Sequence, residues 1–222
     1  SDETVLEGLS QRMTVIRERD SAVISIYVRS ADAALAARIA NALAAGLAAA
    51  RPEVVVAPAL AYGASGEHAG FPGTLSLGTA ALGAVLVELV RSADAFAAVV
   101  LVNGHGGNAE AIRSASAVLR AEARTMVPWS PSIPGGDAHA GRSETSLLLA
   151  IDAAAVRVDR AEPGERAPLG RIMGQLRAGG VAAVSTNGVL GDPTGASAGE
   201  GAVLLDGLVQ QLVAAVDAAL PA

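Results

Sequence analysis

The chain has three histidines, and each falls in a loop beside other residues that can do chemistry. His105 lies in Leu-Val-Asn-Gly-His-Gly-Gly-Asn (101–108), directly after the apolar β-formers Ala97-Ala98-Val99-Val100 and before a helical stretch from Ala109 to Arg124. His139 lies in Asp-Ala-His-Ala-Gly-Arg-Ser-Glu-Thr-Ser (137–146), which puts Glu144 five residues on, in the first turn of a helix. His68 lies in Gly-Glu-His-Ala-Gly-Phe-Pro-Gly-Thr (66–74). Imidazole is the commonest metal ligand and titrates near neutrality. Carboxylates beside it suggest zinc, iron or manganese. A metal held this way would polarise an amide carbonyl and lower the pKa of a water, giving a nucleophile in a chain that has no cysteine.

Each of these residues also has a plainer role. A lone loop histidine is more often a hydrogen-bonded structural residue than a ligand, and His68 on its own reads that way. For His105 the glycines on both sides favour ligation. Gly-His-Gly-Gly-Asn before a helix also has the outline of a phosphate cradle, but the Gly-x-x-x-x-Gly-Lys pattern and a nearby lysine are absent. Glu144 can simply favour the helix dipole, Asp32 can cap a helix, and Glu67, Asp137 and Asp192 can form turns. Spacing alone points to a metal-dependent hydrolase without fixing its ligands.

Short apolar runs and helical stretches alternate along the chain and must position these loops. Strands are expected at Ala22–Val28, Val54–Ala57, Phe96–Val102 and Thr125–Trp129. Helices are expected at Thr4–Arg19, Ala33–Ala50, Leu75–Asp94, Ala109–Arg124, Ser143–Ile151 and Glu200–Ala219, and 160–182 reads as irregular. The loop Pro58–Thr74 carries Tyr62 and Phe71 as well as His68; loops of that length in compact domains are usually functional or disordered. The alternation argues for one α/β domain over residues 1–222, a three-layer α/β/α arrangement with a mainly parallel sheet. Ligands of such sheets bind beyond the carboxyl ends of the strands, where His105 falls.

Composition narrows the function classes. Hydrophobic residues make up 51% but aromatics only 2%, so the core must be built from Ala, Val and Leu. Net charge is −6 with no basic stripe, which argues against nucleic-acid binding. Without cysteine there are no disulfides, thiol chemistry or Cys-type zinc sites, as suits a cytoplasmic protein. No apolar run approaches the ~18 residues of a membrane span, and residues 1–20 are too polar for a signal peptide.

The four segments 66–74, 101–108, 137–146 and Gly-Val-Leu-Gly-Asp-Pro-Thr-Gly-Ala-Ser (188–197) together resemble the creatininase family of metal-dependent amidohydrolases. The resemblance runs from about Asp32 to the C-terminus. It implies two divalent metal ions, zinc with iron or manganese, held by Asp32, His105 and Glu144. It further implies that His139 is the general acid/base, that Asn103, Gly106 and Gly107 shape the pocket floor, and that His68 and Phe71 lie near the substrate. The loop at 66–74 and the chain's length are most similar to the branch that cleaves a radical-modified precursor peptide near its C-terminus on the way to a redox cofactor. Family members assemble into rings of dimers, so a homo-oligomer is implied. Other branches act on small cyclic or formyl amides.

One departure stands out. The family carries a Glu-x-His-Gly segment after its first strand, whereas here Val28 runs straight into Arg29-Ser30-Ala31-Asp32. Strand and helix on either side are otherwise normal, which favours a loop belonging at this junction over a loop deleted from the chain or a different alignment here. A chain truly lacking it would have too few ligands for two metals and would be weakly active or a catalytically dead subunit.

Overall fold

The structure is a computed structural model that describes residues 23–28 and 33–220, with side chains from residue 36 onward. The helix expected at 4–19 and the candidate ligand Asp32 lie outside the described residues.

Among the described residues, four parallel strands, β1 (Val23–Val28), β2 (Val54–Val56), β3 (Ala98–Asn103) and β4 (Met126–Trp129), form a sheet in the order β2-β1-β3-β4. β3 is central: Val23 to Val28 pair with Ala98 to Asn103 on one side, and Met126 to Trp129 pair with Val99 to Val102 on the other. All six residues of β3 are buried. Successive side chains of a strand point to opposite faces, so β3 feeds two cores. Val100 and Val102 pack with Leu43, Leu47, Leu147, Leu148, Leu208 and Leu212, whereas Val99 and Leu101 pack with Leu82, Leu86, Ile112 and Leu119. The first core belongs to helices α1 (Ala33–Ala50), α4 (Arg142–Asp152) and α6 (Ala198–Ala219), and the second to α2 (Thr79–Arg91) and α3 (Ala109–Ala121). This is the three-layer α/β/α arrangement expected from the sequence.

Small residues let the helices of the first layer approach closely. A Cβ at Gly46 of α1 would stand 2.5 Å from Val209 Cγ2 of α6, and one at Gly201 of α6 would collide with the Ser146 carbonyl of α4. The Ala- and Gly-rich composition thus does the work that aromatic bulk does in other cores.

Three expectations change. Helix α2 starts at Thr79 rather than Leu75, because Gly78 takes φ 76 and Leu77 donates its N–H to the Gly63 carbonyl at 2.9 Å. The segment 160–182 is not all irregular: α5 spans Leu169–Gly179, its apolar period obscured by Gly170 and Gly174. α6, with 22 residues and a mean hydropathy of 1.5, is long and apolar enough to cross a membrane, contrary to the sequence reading. It packs instead against α4 and α1, with Leu208, Leu212 and Val216 in the core.

Candidate active site

β3 ends in a ring of hydrogen bonds that fixes His105. Asn103 Nδ2 donates to the His105 carbonyl at 3.0 Å, and His105 N–H donates to Asn103 Oδ1 at 3.3 Å. Asn108 Nδ2 donates to Asn103 Oδ1 at 2.9 Å, and Asn108 Oδ1 accepts the Ala64 N–H at 2.9 Å. The Ala64 carbonyl lies 3.1 Å from His105 Nε2, which closes the ring. Buried polar groups must be paired, and here the pairing joins the end of β3 to the loop after β2.

That loop brings in a residue the sequence reading treated only as a turn former. A single 3₁₀ turn, Gly66–His68, carries Glu67 and His68 toward His105. Glu67 Oε1 lies 2.7 Å from His105 Nε2 and 3.6 Å from His68 Nε2. The Glu67, His68 and His105 ligand atoms all fall within 4.8 Å of one another, and both imidazoles are buried. Burial alone would raise the Glu67 carboxyl, but the 2.7 Å contact with His105, its own backbone N–H and the His105 and His68 charges together hold it below the usual range. Thr74 Oγ1 donates to the His68 carbonyl at 2.9 Å and holds the turn in place. The signal for Glu67 was its adjacency to His68 in Gly-Glu-His; its spatial partner is 38 positions away, which no local pattern reveals.

His139 reaches the same place by another route. The His139 and Leu190 backbones pair in an isolated antiparallel bridge, with N–H···O distances of 3.2 and 2.9 Å. The His139 ring lies 4.9 Å from that of His68, and Nδ1 stands 3.8 Å from Glu144 Oε2. Glu144, in the first turn of α4, also accepts the Ala140 N–H at 2.5 Å. Ala140 adopts φ 51, a left-handed conformation costly for alanine, and this turns its N–H toward that carboxylate. Glu144 therefore stands with His139, not within the Glu67–His68–His105 group.

A cavity of about 750 Å³ opens over these residues. Glu67, His68, His105, Gly106, Gly107 and His139 line one side, and Leu169, Met173, Leu176 and Arg177 of α5 form the wall opposite. A second cavity of about 280 Å³ lies between Phe71, Pro72 and Val189 and shares His68 and His139 with the first. Asn103 lines neither cavity; its amide is engaged in the ring that holds His105. The α5 wall is the other functional element that the sequence reading missed.

The donor set fits a divalent cation. Two imidazoles and one carboxylate with a remaining open position are the ligand chemistry of catalytic zinc sites. Glu67 Oε1 is buried without a well-directed hydrogen bond. Gly107 leaves a hollow beside it, since a Cβ there would collide with Glu67 Oε1 and stand 2.5 Å from both the Ala64 carbonyl and His105 Nε2.

The chain is similar to known proteins of one family. The family profile Creatininase, described as creatinine amidohydrolase, matches residues 29–216. A mycofactocin precursor peptide peptidase of Mycolicibacterium smegmatis is 56% identical over 151 residues, 67% of this chain and 61% of that protein. One of the same name from Mycobacterium tuberculosis (strain CDC 1551 / Oshkosh) is 51% identical over 174 residues, 78% of this chain and 69% of that protein. The matched region is thus about three fifths of the length of the first relative. Among solved structures, a creatinine amidohydrolase superposes with a TM-score of 0.72 at 22% identity, covering 98% of this chain and 96% of the other. A Zn-Zn type mutant creatininase superposes with a TM-score of 0.68 at 22% identity, covering 100% and 96%.

Proposed function

The chain belongs to the creatininase family, and on that premise we propose that it is a metal-dependent peptidase that cleaves a modified precursor peptide near its C-terminus in mycofactocin biosynthesis. The names of its relatives support the substrate. Two divalent ions, zinc with iron or manganese, would be held with His105, Asp32 and Glu144 among their ligands. When bound, such ions supply Lewis acidity toward the amide carbonyl and an acidified water.

The chain's own residues do the rest. His139 donates a proton to the departing amine, which cannot leave as an anion. Glu144, 3.8 Å from Nδ1, stands on the ring's other side and helps to orient it. Gly106 and Gly107 keep the floor open to a peptide backbone, and Leu169, Met173 and Leu176 of α5 offer its side chains apolar contacts. His68 stands between His105 and His139, its ring 5.8 and 4.9 Å from theirs, where it would meet the substrate, and Phe71 borders the smaller cavity.

One observation favours a peptide over a small amide: cavities open on both sides of the His68–His139 pair. A bond inside a chain needs room on both sides, and the smaller cavity suits a short terminal piece. Incubation with the modified precursor, creatinine and a formamide, followed by mass spectrometry, tests this. The expected product is a C-terminal fragment of the precursor; turnover of creatinine or the formamide alone overturns the reading. The Val28–Arg29 junction favours a catalytically silent subunit as the rival, which bound metal together with hydrolysis would exclude. A homo-oligomer working in the cytoplasm completes the reading, supported by exposed apolar side chains such as Val203 and by the absence of cysteine.

A further inference from the structure

We propose that Glu67, His68 and His105 together bind one zinc-type cation, so that the loop after β2 supplies two of its three protein ligands. This rests on the metal-dependent reading above and adds two ligands to it.

Distances carry the argument. Ligand bonds of about 2.1 Å at tetrahedral angles set ligand atoms roughly 3.4 Å apart. Glu67 Oε1 lies 2.7 Å from His105 Nε2 and 3.6 Å from His68 Nε2, and the whole group spans no more than 4.8 Å. Small side-chain movements therefore enclose an ion. Glu67 Oε1 is buried, and its 2.7 Å contact with His105 Nε2 is poorly directed for a hydrogen bond, so a cation between the two would replace a strained pairing. Gly107 lacks the Cβ that would displace Glu67 from His105, whereas a Cβ at Gly106 would touch nothing within 4 Å. Both ligand-bearing segments are pre-positioned: Ala64 is bonded to Asn108, and the Asn103–His105 contacts hold the other side. A simple ion pair between Glu67 and His105 would explain the 2.7 Å contact alone and predicts no metal there.

The test measures zinc affinity and the cobalt(II) absorption spectrum of the purified full chain, with circular dichroism to verify folding. Loss of a supporting residue around a metal typically weakens binding about 10–100-fold, so loss of a direct ligand should reach about a hundredfold or more. Glu67→Gln and His68→Asn are expected to show that loss and an altered cobalt spectrum, with Glu144→Gln keeping this ion. Gly107→Ala is expected to weaken it without unfolding the chain, and Gly106→Ala to leave affinity unchanged. Wild-type affinity in Glu67→Gln, or a folded wild type that takes up neither zinc nor cobalt, overturns the inference. Precursor cleavage is followed in parallel. Cleavage by a Glu67→Gln protein of wild-type affinity removes this site and leaves the peptidase reading. Metal bound through Glu67 without cleavage of the precursor leaves the site and removes the peptidase.

Discussion

The tasks proposed for His105 and His139 cannot fall to one imidazole, since a ligand must be deprotonated and a general acid must carry a proton. His105→Ala is accordingly expected to lose both metal and turnover. His139→Ala should keep its metal, as measured by elemental analysis, while its turnover falls by about 10²–10⁴-fold. Retained turnover in the His105 variant would remove the ligand assignment. These two residues were readable in the sequence because each sits in a short glycine-bearing motif whose chemistry is local. Glu67 was not, because its meaning comes from His105 across a gap in sequence, and the same carboxylate beside a glycine also suits a turn. Asn103 shows the reverse case. Its place beside His105 was legible, but only the hydrogen bonds to Asn108 and the His105 carbonyl reveal that it holds the loop.

At the scale of elements, α6 is tied to α4 where the motif carrying His139 ends. Ser197 accepts the Glu200 N–H at 3.2 Å, Ser146 Oγ donates to Glu200 Oε2 at 2.8 Å, and Arg142 Nε donates to the same carboxylate at 2.9 Å. Ser197→Ala should cost about 1 kcal/mol of stability, the usual value of such a cap, measured by denaturant unfolding. Gly201→Ala places a methyl against the Ser146 carbonyl and is expected to cost about 1–3 kcal/mol. The hydrogen bonds from Arg142 and Ser146 hold the Glu200 carboxyl below its ordinary 4.5. A depressed carboxyl stabilises the fold above its unfolded pKa, and that contribution is lost as pH falls through the folded value. Glu200→Gln should therefore flatten the loss of stability below about pH 4.5, relative to wild type, in acid unfolding curves. Strands and long helices were legible because periods of two and 3.6 persist over many residues. α5 was not, since its eleven residues include glycines and only a narrow apolar stripe around Ile172.

For the whole molecule, metal and fold are expected to be linked. An ion that binds only the folded chain stabilises it by about 2.7 kcal/mol at a free concentration of 100 times its Kd. Zinc should raise the melting temperature of the wild type and leave that of His105→Ala unchanged; equal shifts would place the ion elsewhere. Exposed apolar positions on separate parts of the surface, Val203 at 74% and Leu75 at 61%, fit a chain that meets copies of itself. Sedimentation should show a species larger than one chain, and Val203→Asp should shrink it if the outer face of α6 forms the contact. The backbone pairing around Leu190 has one more consequence. The same short segment that pairs with His139 also takes N–H groups from Gly164 and Glu165, at 3.0 Å each, while Asn187 reaches back to the Pro163 carbonyl at 3.2 Å. Residues 166–187, α5 included, thus form an excursion sewn shut at its base. Lengthening such a closed loop costs little, so the wall facing the histidines can grow or shrink while its base stays stitched, provided Gly180 keeps its close approach to the Glu67 carbonyl.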